Sequence, residues 1–155
     1  MNETIFILLL VLIDQASKIA MKAINRIHPD SFTIIKDFFY ITYAENTGAA
    51  FSILKGQRWF FVIMALVVSV VIILYLIKHK PKSLEKISLL LILAGAIGNV
   101  IDRVAYGYVI DFLDFYIFGY DFPIFNIADS CITIGAVLLI LSELFLGDKK
   151  RLWKK

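Results

Sequence analysis

From Trp59 to Ile77 the chain has one plainly polar residue, Ser69. A helix needs about 20 mostly apolar residues to cross a bilayer, where no water satisfies stray backbone groups, so this run reads as a membrane span (59–77). Three further runs reach that size, at about 4–23, 87–105 and 127–146. The first is interrupted by Asp14, Gln15, Ser17 and Lys18. The run at 87–105 carries Gly95, Gly98 and Asn99 and ends on Asp102 and Arg103, while that at 127–146 has Asp129 near its start and Glu143 near its end. A 155-residue chain that is 60% hydrophobic, with mean hydropathy +0.82, has more apolar area than a soluble core of that size can hide. The expected fold is an all-α membrane protein with four transmembrane helices and a small extracytoplasmic β-rich segment, all in one domain over 1–155.

The leading residues Met1, Asn2 and Glu3 carry no positive charge, and no Ala-x-Ala site follows the first apolar run. A retained helix is expected there rather than a cleaved leader. Orientation follows from Lys and Arg in short loops, which resist translocation. Lys78, Lys80, Lys82 and Lys86 mark one connection as cytoplasmic, and Lys149, Lys150, Arg151, Lys154 and Lys155 mark the tail. The segment with Asp102, Asp111, Asp114, Asp121 and Asp129 has Arg103 as its one basic residue and reads as external. Both termini are therefore expected in the cytoplasm. Between spans one and two, the run from Ser31 to Ala44 is rich in aromatic and β-branched residues without helical spacing, which predicts short strands.

Alternating helix directions bring Asp14, Asn99, Asp102, Arg103, Asn126 and Asp129 to one level near the outer face. Ionisable groups beside hydrocarbon are costly and mark function, although ion pairs of Asp14 with Lys18, or Asp102 with Arg103, are structural alternatives. Asp111, flanked by Val109, Ile110, Phe112 and Leu113, and Asp129, with no obvious local cation, fit a solvated role poorly. If the external segment folds back so that they meet, they would share a proton and could activate water as aspartic proteases do. His28 and His79 offer no base for a serine or cysteine triad, and the single cysteine, Cys131, excludes an internal disulfide. No metal-ligand motif occurs, so a metal is not implied. A net charge of +3, with its basic residues in short clusters, argues against nucleic acid as a partner. A small transporter or proton channel, or a purely structural membrane subunit, stays open at this point.

Five motifs in order carry a resemblance: Asp14-Gln15-Ala16-Ser17-Lys18, Asn46-Thr47-Gly48-Ala49-Ala50-Phe51-Ser52, Gly98-Asn99-Val100-Ile101-Asp102-Arg103, Val109-Ile110-Asp111-Phe112 and Phe125-Asn126-Ile127-Ala128-Asp129-Ser130. Together they resemble bacterial lipoprotein signal peptidase, the type II signal peptidase. The resemblance implies an aspartic endopeptidase of the bacterial plasma membrane that works without a cofactor. It would cut prolipoproteins on the amino side of a diacylglyceryl-modified cysteine. It also implies Asp111 and Asp129 as the catalytic pair, with Asn46, Gly48, Asn99, Asp102, Arg103, Asn126 and Asp14 binding substrate or supporting the site. Asp102 with Asp129 is the alternative pairing. The expected partners are lipidated prolipoproteins and membrane lipid, the expected state a monomer, and the expected active site faces the extracytoplasmic side.

Overall fold

The computed structural model describes residues 2–49, 53–81 and 83–147. Residues 50–52 of the Asn46 motif, Lys82 of the basic connection and the basic tail from Lys149 to Lys155 lie outside the described residues. Four helices, α1 (Glu3–Ile27), α2 (Arg58–His79), α3 (Ser83–Tyr106) and α4 (Ile127–Ser142), are joined by a four-stranded sheet, and α4 runs on into a π-helical turn at Glu143–Gly147. All four are long and apolar enough to span a membrane, the fourth once α4 is counted with its π-helical continuation, over Ile127–Phe145. Each overlaps a predicted run. Helix α1 extends beyond residue 23 to Ile27, where the His28 N–H closes on the Ile24 carbonyl at 2.8 Å, and Lys22, over the Tyr106 ring at 3.7 Å and donating to the Tyr108 hydroxyl at 3.1 Å, ties its end to that of α3. At the other end of the bundle α2 stops at Lys80, which takes a left-handed φ of 44° just before Pro81, a residue that cannot continue a helix.

Helix α3 is the hub of the bundle. Half of its apolar stretch is buried, against 11% for α1, 17% for α2 and 22% for α4, so the other three turn most of their surface outward. Leu8, Leu12, Val71, Leu74 and Val137 are exposed apolar residues of the kind that lipid covers. The buried apolar cluster of Ile72, Leu89 and Leu93 is small. In lipid the hydrophobic effect does little to join helices, and close backbone packing and interhelical hydrogen bonds take over. Gly95 shows the first of these, since a Cβ there would strike the Ala128 carbonyl of α4.

The sheet caps one end of the bundle, where α1 and α3 end and α2 and α4 begin. Its strands, β1 (Phe32–Ile35), β2 (Phe39–Asn46), β3 (Val109–Ile117) and β4 (Tyr120–Asp121), pair antiparallel in the order β1-β2-β3-β4. β1 falls within the predicted β-rich run, and β2 begins in it and continues past Ala44 to Asn46. β3 was not anticipated from the sequence: it comes from the acidic segment between α3 and α4, and four of its first residues are buried. Burial on both faces erases the alternation that announces a half-exposed strand. The β2–β3 register sets Ala44 opposite Asp111 and Asn46 opposite Val109, with a bulge between Ile41 and Ala44.

Candidate active site

Two local devices bring a strand acid to a helix acid. Phe125 pairs with β3: its carbonyl accepts from the N–H groups of Phe112 (3.0 Å) and Leu113 (2.8 Å), and its own N–H donates to the Leu113 carbonyl at 3.1 Å. Phe125 also stacks on Phe115, which stacks on Phe39 of β2. This fastens the next residue, Asn126, against β3. Asn126 is the N-cap of α4 in a reciprocal box, in which its Oδ1 accepts from the Asp129 N–H at 2.8 Å and Asp129 Oδ2 accepts from the Asn126 N–H at 3.3 Å. The box turns the Asp129 carboxylate back toward the sheet. Asn126 Nδ2 then donates to Asp111 Oδ1 at 2.6 Å, while Asn46 Nδ2 donates to Asp111 Oδ2 at 3.0 Å.

Beneath this pair lies a buried charged layer. Lys18 Nζ is 2.9 Å from Asp14 Oδ2 and 3.1 Å from Asp102 Oδ2, with all three side chains at most 2% exposed. Gln15 Nε2 donates to Asp14 Oδ2, Asp102 Oδ1 and the Gly98 carbonyl, tying α1 to α3. Asp14 Oδ1 accepts from the Ala128 N–H at 2.9 Å, so α1 also holds the first turn of α4. Asp102 Oδ2 accepts from the Ile110 N–H at 3.0 Å, which fixes the start of β3. Asn99 links the layers: its Oδ1 accepts from Lys18 Nζ at 3.0 Å and its Nδ2 donates to Asp129 Oδ1 at 2.7 Å.

A cavity of about 540 Å³ opens beside the pair, lined by Asp129, Asn99, Asn46 and Arg103 together with apolar residues such as Phe122 and Ile132. Asp111 lies just behind it, 2% exposed. Burial, reinforced by the charge of Asp129, pushes the Asp111 carboxyl up to about 7, well above the ordinary carboxylate range, even though Asn46 and Asn126 donate to it. Near neutrality Asp111 therefore keeps part of its proton beside the Asp129 carboxylate. Arg103 Nη2 donates to the Gly48 carbonyl at 2.8 Å and its guanidinium lies 4.8 Å from the centre of the Phe61 ring, so it borders the cavity, and among the described residues it has no direct carboxylate partner. Among the described residues, no group of three His, Cys, Asp or Glu side chains is arranged to hold a metal ion.

A sequence model of the family described as signal peptidase (SPase) II matches residues 6–145. The chain belongs to this family. It is 45% identical over 150 residues to a lipoprotein signal peptidase of Staphylococcus carnosus, covering 96% of this chain and 94% of that one. It is 43% identical over 137 residues to a lipoprotein signal peptidase of Halothermothrix orenii, covering 88% and 91%. Among solved structures, a bacterial membrane enzyme determined by the in meso method at 2.3 Å resolution superposes with TM-score 0.85 at 39% identity, covering 96% of this chain and 91% of that chain.

All nine residues singled out from the sequence sit within or directly beneath this one site: Asp111, Asp129, Asn46, Gly48, Asn99, Asp102, Arg103, Asn126 and Asp14. The ion pair of Asp14 with Lys18 forms as its i to i+4 spacing allows. The alternative pair of Asp102 with Arg103 does not. Consecutive helical residues point in different directions, so Asp102 turns to Lys18 and Arg103 turns to the cavity. Lys18 and Gln15 do more than the sequence reading allowed them. Their signal was present: polar side chains at successive positions of an apolar span need more partners than one neighbouring acid supplies.

Proposed function

We propose that the chain removes signal peptides from prolipoproteins, with Asp111 and Asp129 as its catalytic pair. The observation that carries this reading is the bridge through Asn126, which holds two buried carboxylates together beside a largely apolar cavity. One carboxylate takes a proton from the attacking water while the protonated partner polarises the scissile carbonyl, and both roles exchange as the amine leaves. Asp102 suits the second catalytic place less well. Its two oxygens already accept from Gln15, Lys18 and the Ile110 N–H, and the Lys18 ammonium at 3.1 Å neutralises it, whereas Asp111 has the neutral amides of Asn46 and Asn126 as its partners.

The substrate would carry a diacylglyceryl group on the cysteine that becomes the new N-terminus, and cleavage would fall on the amino side of that cysteine. Two acyl chains are the main handle in this reading, since each buried methylene contributes about 0.8 kcal/mol and the cavity wall is mostly apolar. The basic α2–α3 connection, at the end of the bundle away from the sheet, supports a cytoplasmic position for that end and an extracytoplasmic one for the site. The test is cleavage by the purified chain of one prolipoprotein in diacylglyceryl-modified and unmodified forms. Cleavage of the modified form alone is expected. Equal cleavage of both refutes the lipid requirement, and cleavage of neither refutes the reading.

A further inference from the structure

We infer that Lys18 is a positioning residue for Asp129, acting through the side-chain amide of Asn99. The inference rests on the reading of Asp129 as catalytic and goes beyond it.

Three asparagine amides donate to the two acids, and each can do so in only one orientation. Asn46 Oδ1 accepts from the Gly48 N–H at 2.9 Å, which leaves Nδ2 for Asp111. Asn126 Oδ1 accepts from the Asp129 N–H at 2.8 Å, which leaves Nδ2 for Asp111 as well. Asn99 Oδ1 accepts from Lys18 Nζ at 3.0 Å, which leaves Nδ2 for Asp129. In every case the group facing Oδ1 can only donate, so the amide cannot flip. Two of these locks are backbone N–H groups. Lys18 is the one side chain among them.

An ammonium has three N–H bonds, and Lys18 directs them at Asp14, Asp102 and Asn99. Neutralising the two acids accounts for two. The third goes to an uncharged amide, where its effect is orientation. A flipped Asn99 would set its carbonyl oxygen against Asp129 Oδ1 in a 2.7 Å contact between two acceptors. Asn126 Nδ2 also faces Asn99 Oδ1, at 3.3 Å, but it divides two N–H bonds among that oxygen, the Ile110 carbonyl and the much closer Asp111 Oδ1. The ammonium is the stronger lock.

Removing Lys18 alone would strand two buried carboxylates, so one of them is removed with it, which keeps the layer at the net charge of the native chain. Lys18→Met is made together with Asp14→Asn and compared with Asp14→Asn alone, with folding followed by thermal melting in detergent. The expected result is a 10- to 100-fold lower kcat on lipidated prolipoprotein with KM unchanged, and less than twofold further loss when Lys18→Met is added to Asn99→Leu in that background. If that pair does not fold, Asp102→Asn is added to it, which leaves the layer neutral, and this triple variant is compared with Asp14→Asn alone, whose layer is neutral as well. An unchanged kcat, or losses from Lys18→Met and Asn99→Leu that multiply, overturns the inference. A readout free of activity accompanies it: in ¹⁵N-asparagine-labelled protein, the Asn99 side-chain N–H signals, assigned by their loss in Asn99→Leu, exchange at least tenfold faster once Lys18 is Met. Unchanged exchange also overturns it. An inactive native chain, or an active Asp129→Asn variant, would instead strike the catalytic reading, and the exchange result would still decide the role of Lys18.

Discussion

Asn126 Nδ2 stands 2.6 Å from Asp111 Oδ1, and the same residue is the N-cap of the helix that carries Asp129. One asparagine thus holds a strand acid with its side chain and a helix acid with its backbone. The distance between the two acids is set by a helix cap, a feature whose geometry varies little. Its neighbour Phe125 clips the cap to β3, so α4 cannot shift along its axis without breaking the Phe125 pairing.

Asn126→Ala is accordingly expected to act on both stability and rate. Losing the cap costs about 1 kcal/mol. The freed Asp111 carboxylate also loses its shortest hydrogen bond, and misplacing a reacting group by about 1 Å can cost about 100-fold in rate. Thermal melting and single-turnover cleavage of the purified variant separate the two effects. A melting drop with normal kcat would show that the bridge serves stability alone.

The pH dependence follows from Asp111. Its folded pKa of about 7 lies above the ordinary 3.8, so over that interval the folded chain holds a proton that the unfolded chain has released. The group's contribution to stability therefore declines as pH rises from 3.8 through about 7 and is level above that. Asp111→Asn should flatten this part of the melting profile. Activity should fall on the alkaline side of about 7 as the pair loses its shared proton, with an apparent value that belongs to the pair. A rate that climbs steadily to pH 9 would contradict the shared-proton scheme.

The spans were legible in the sequence because a lipid-crossing helix is a local property: the run from Trp59 to Ile77 needs no partner to be recognised. The level of Asp14, Asn99, Asp102, Asn126 and Asp129 followed from helix direction alone. The meeting of Asp111 with Asp129 did not. It depends on Phe125 pairing with β3 and on the Asn126 cap, contacts that spacing along the chain does not encode, and on a strand buried on both faces. Residue types implied charge neutralisation for Lys18, yet its third bond to Asn99 depends on how α1 and α3 pack, which no single span specifies.

That packing gives a sharp expectation for Gly98. A Cβ there would lie 2.5 Å from Asp14 Oδ2 and 3.2 Å from the Ala128 Cβ. Both neighbours are held, Asp14 by Lys18 and the Ala128 N–H, and Ala128 by its place in α4. Gly98→Ala should destabilise by about 1–3 kcal/mol, as overpacking does. Melting in detergent would show it, and an unchanged midpoint would mean that α1 can move aside freely.

The proposed orientation is open to labelling. With Cys131→Ala as background, a cysteine in place of Asp121, in β4, should react with an impermeant thiol reagent added outside intact cells. One in place of Lys80, at the end of α2, should react only after lysis. The reverse pattern would turn the whole site toward the cytoplasm.

The assignment of the catalytic pair has the most direct test. Asp111→Asn and Asp129→Asn should each abolish turnover while the chain stays folded, because an amide keeps the shape but takes no proton from water. Each variant keeps one acceptor oxygen: Asp111→Asn can present it to the Asn126 donor and turns its NH2 toward Asn46, and Asp129→Asn can present it to the Asn99 donor, so part of each set of contacts survives the change. Groups that act as a unit are strongly non-additive, so the double variant should be hardly worse than either single one. Asp102→Asn is the control, since it leaves Lys18 with one buried acid instead of two and should act mainly through folded amount. Near-normal turnover by Asp111→Asn, with Asp102→Asn inactive at equal folded amount, would move the second catalytic place to Asp102.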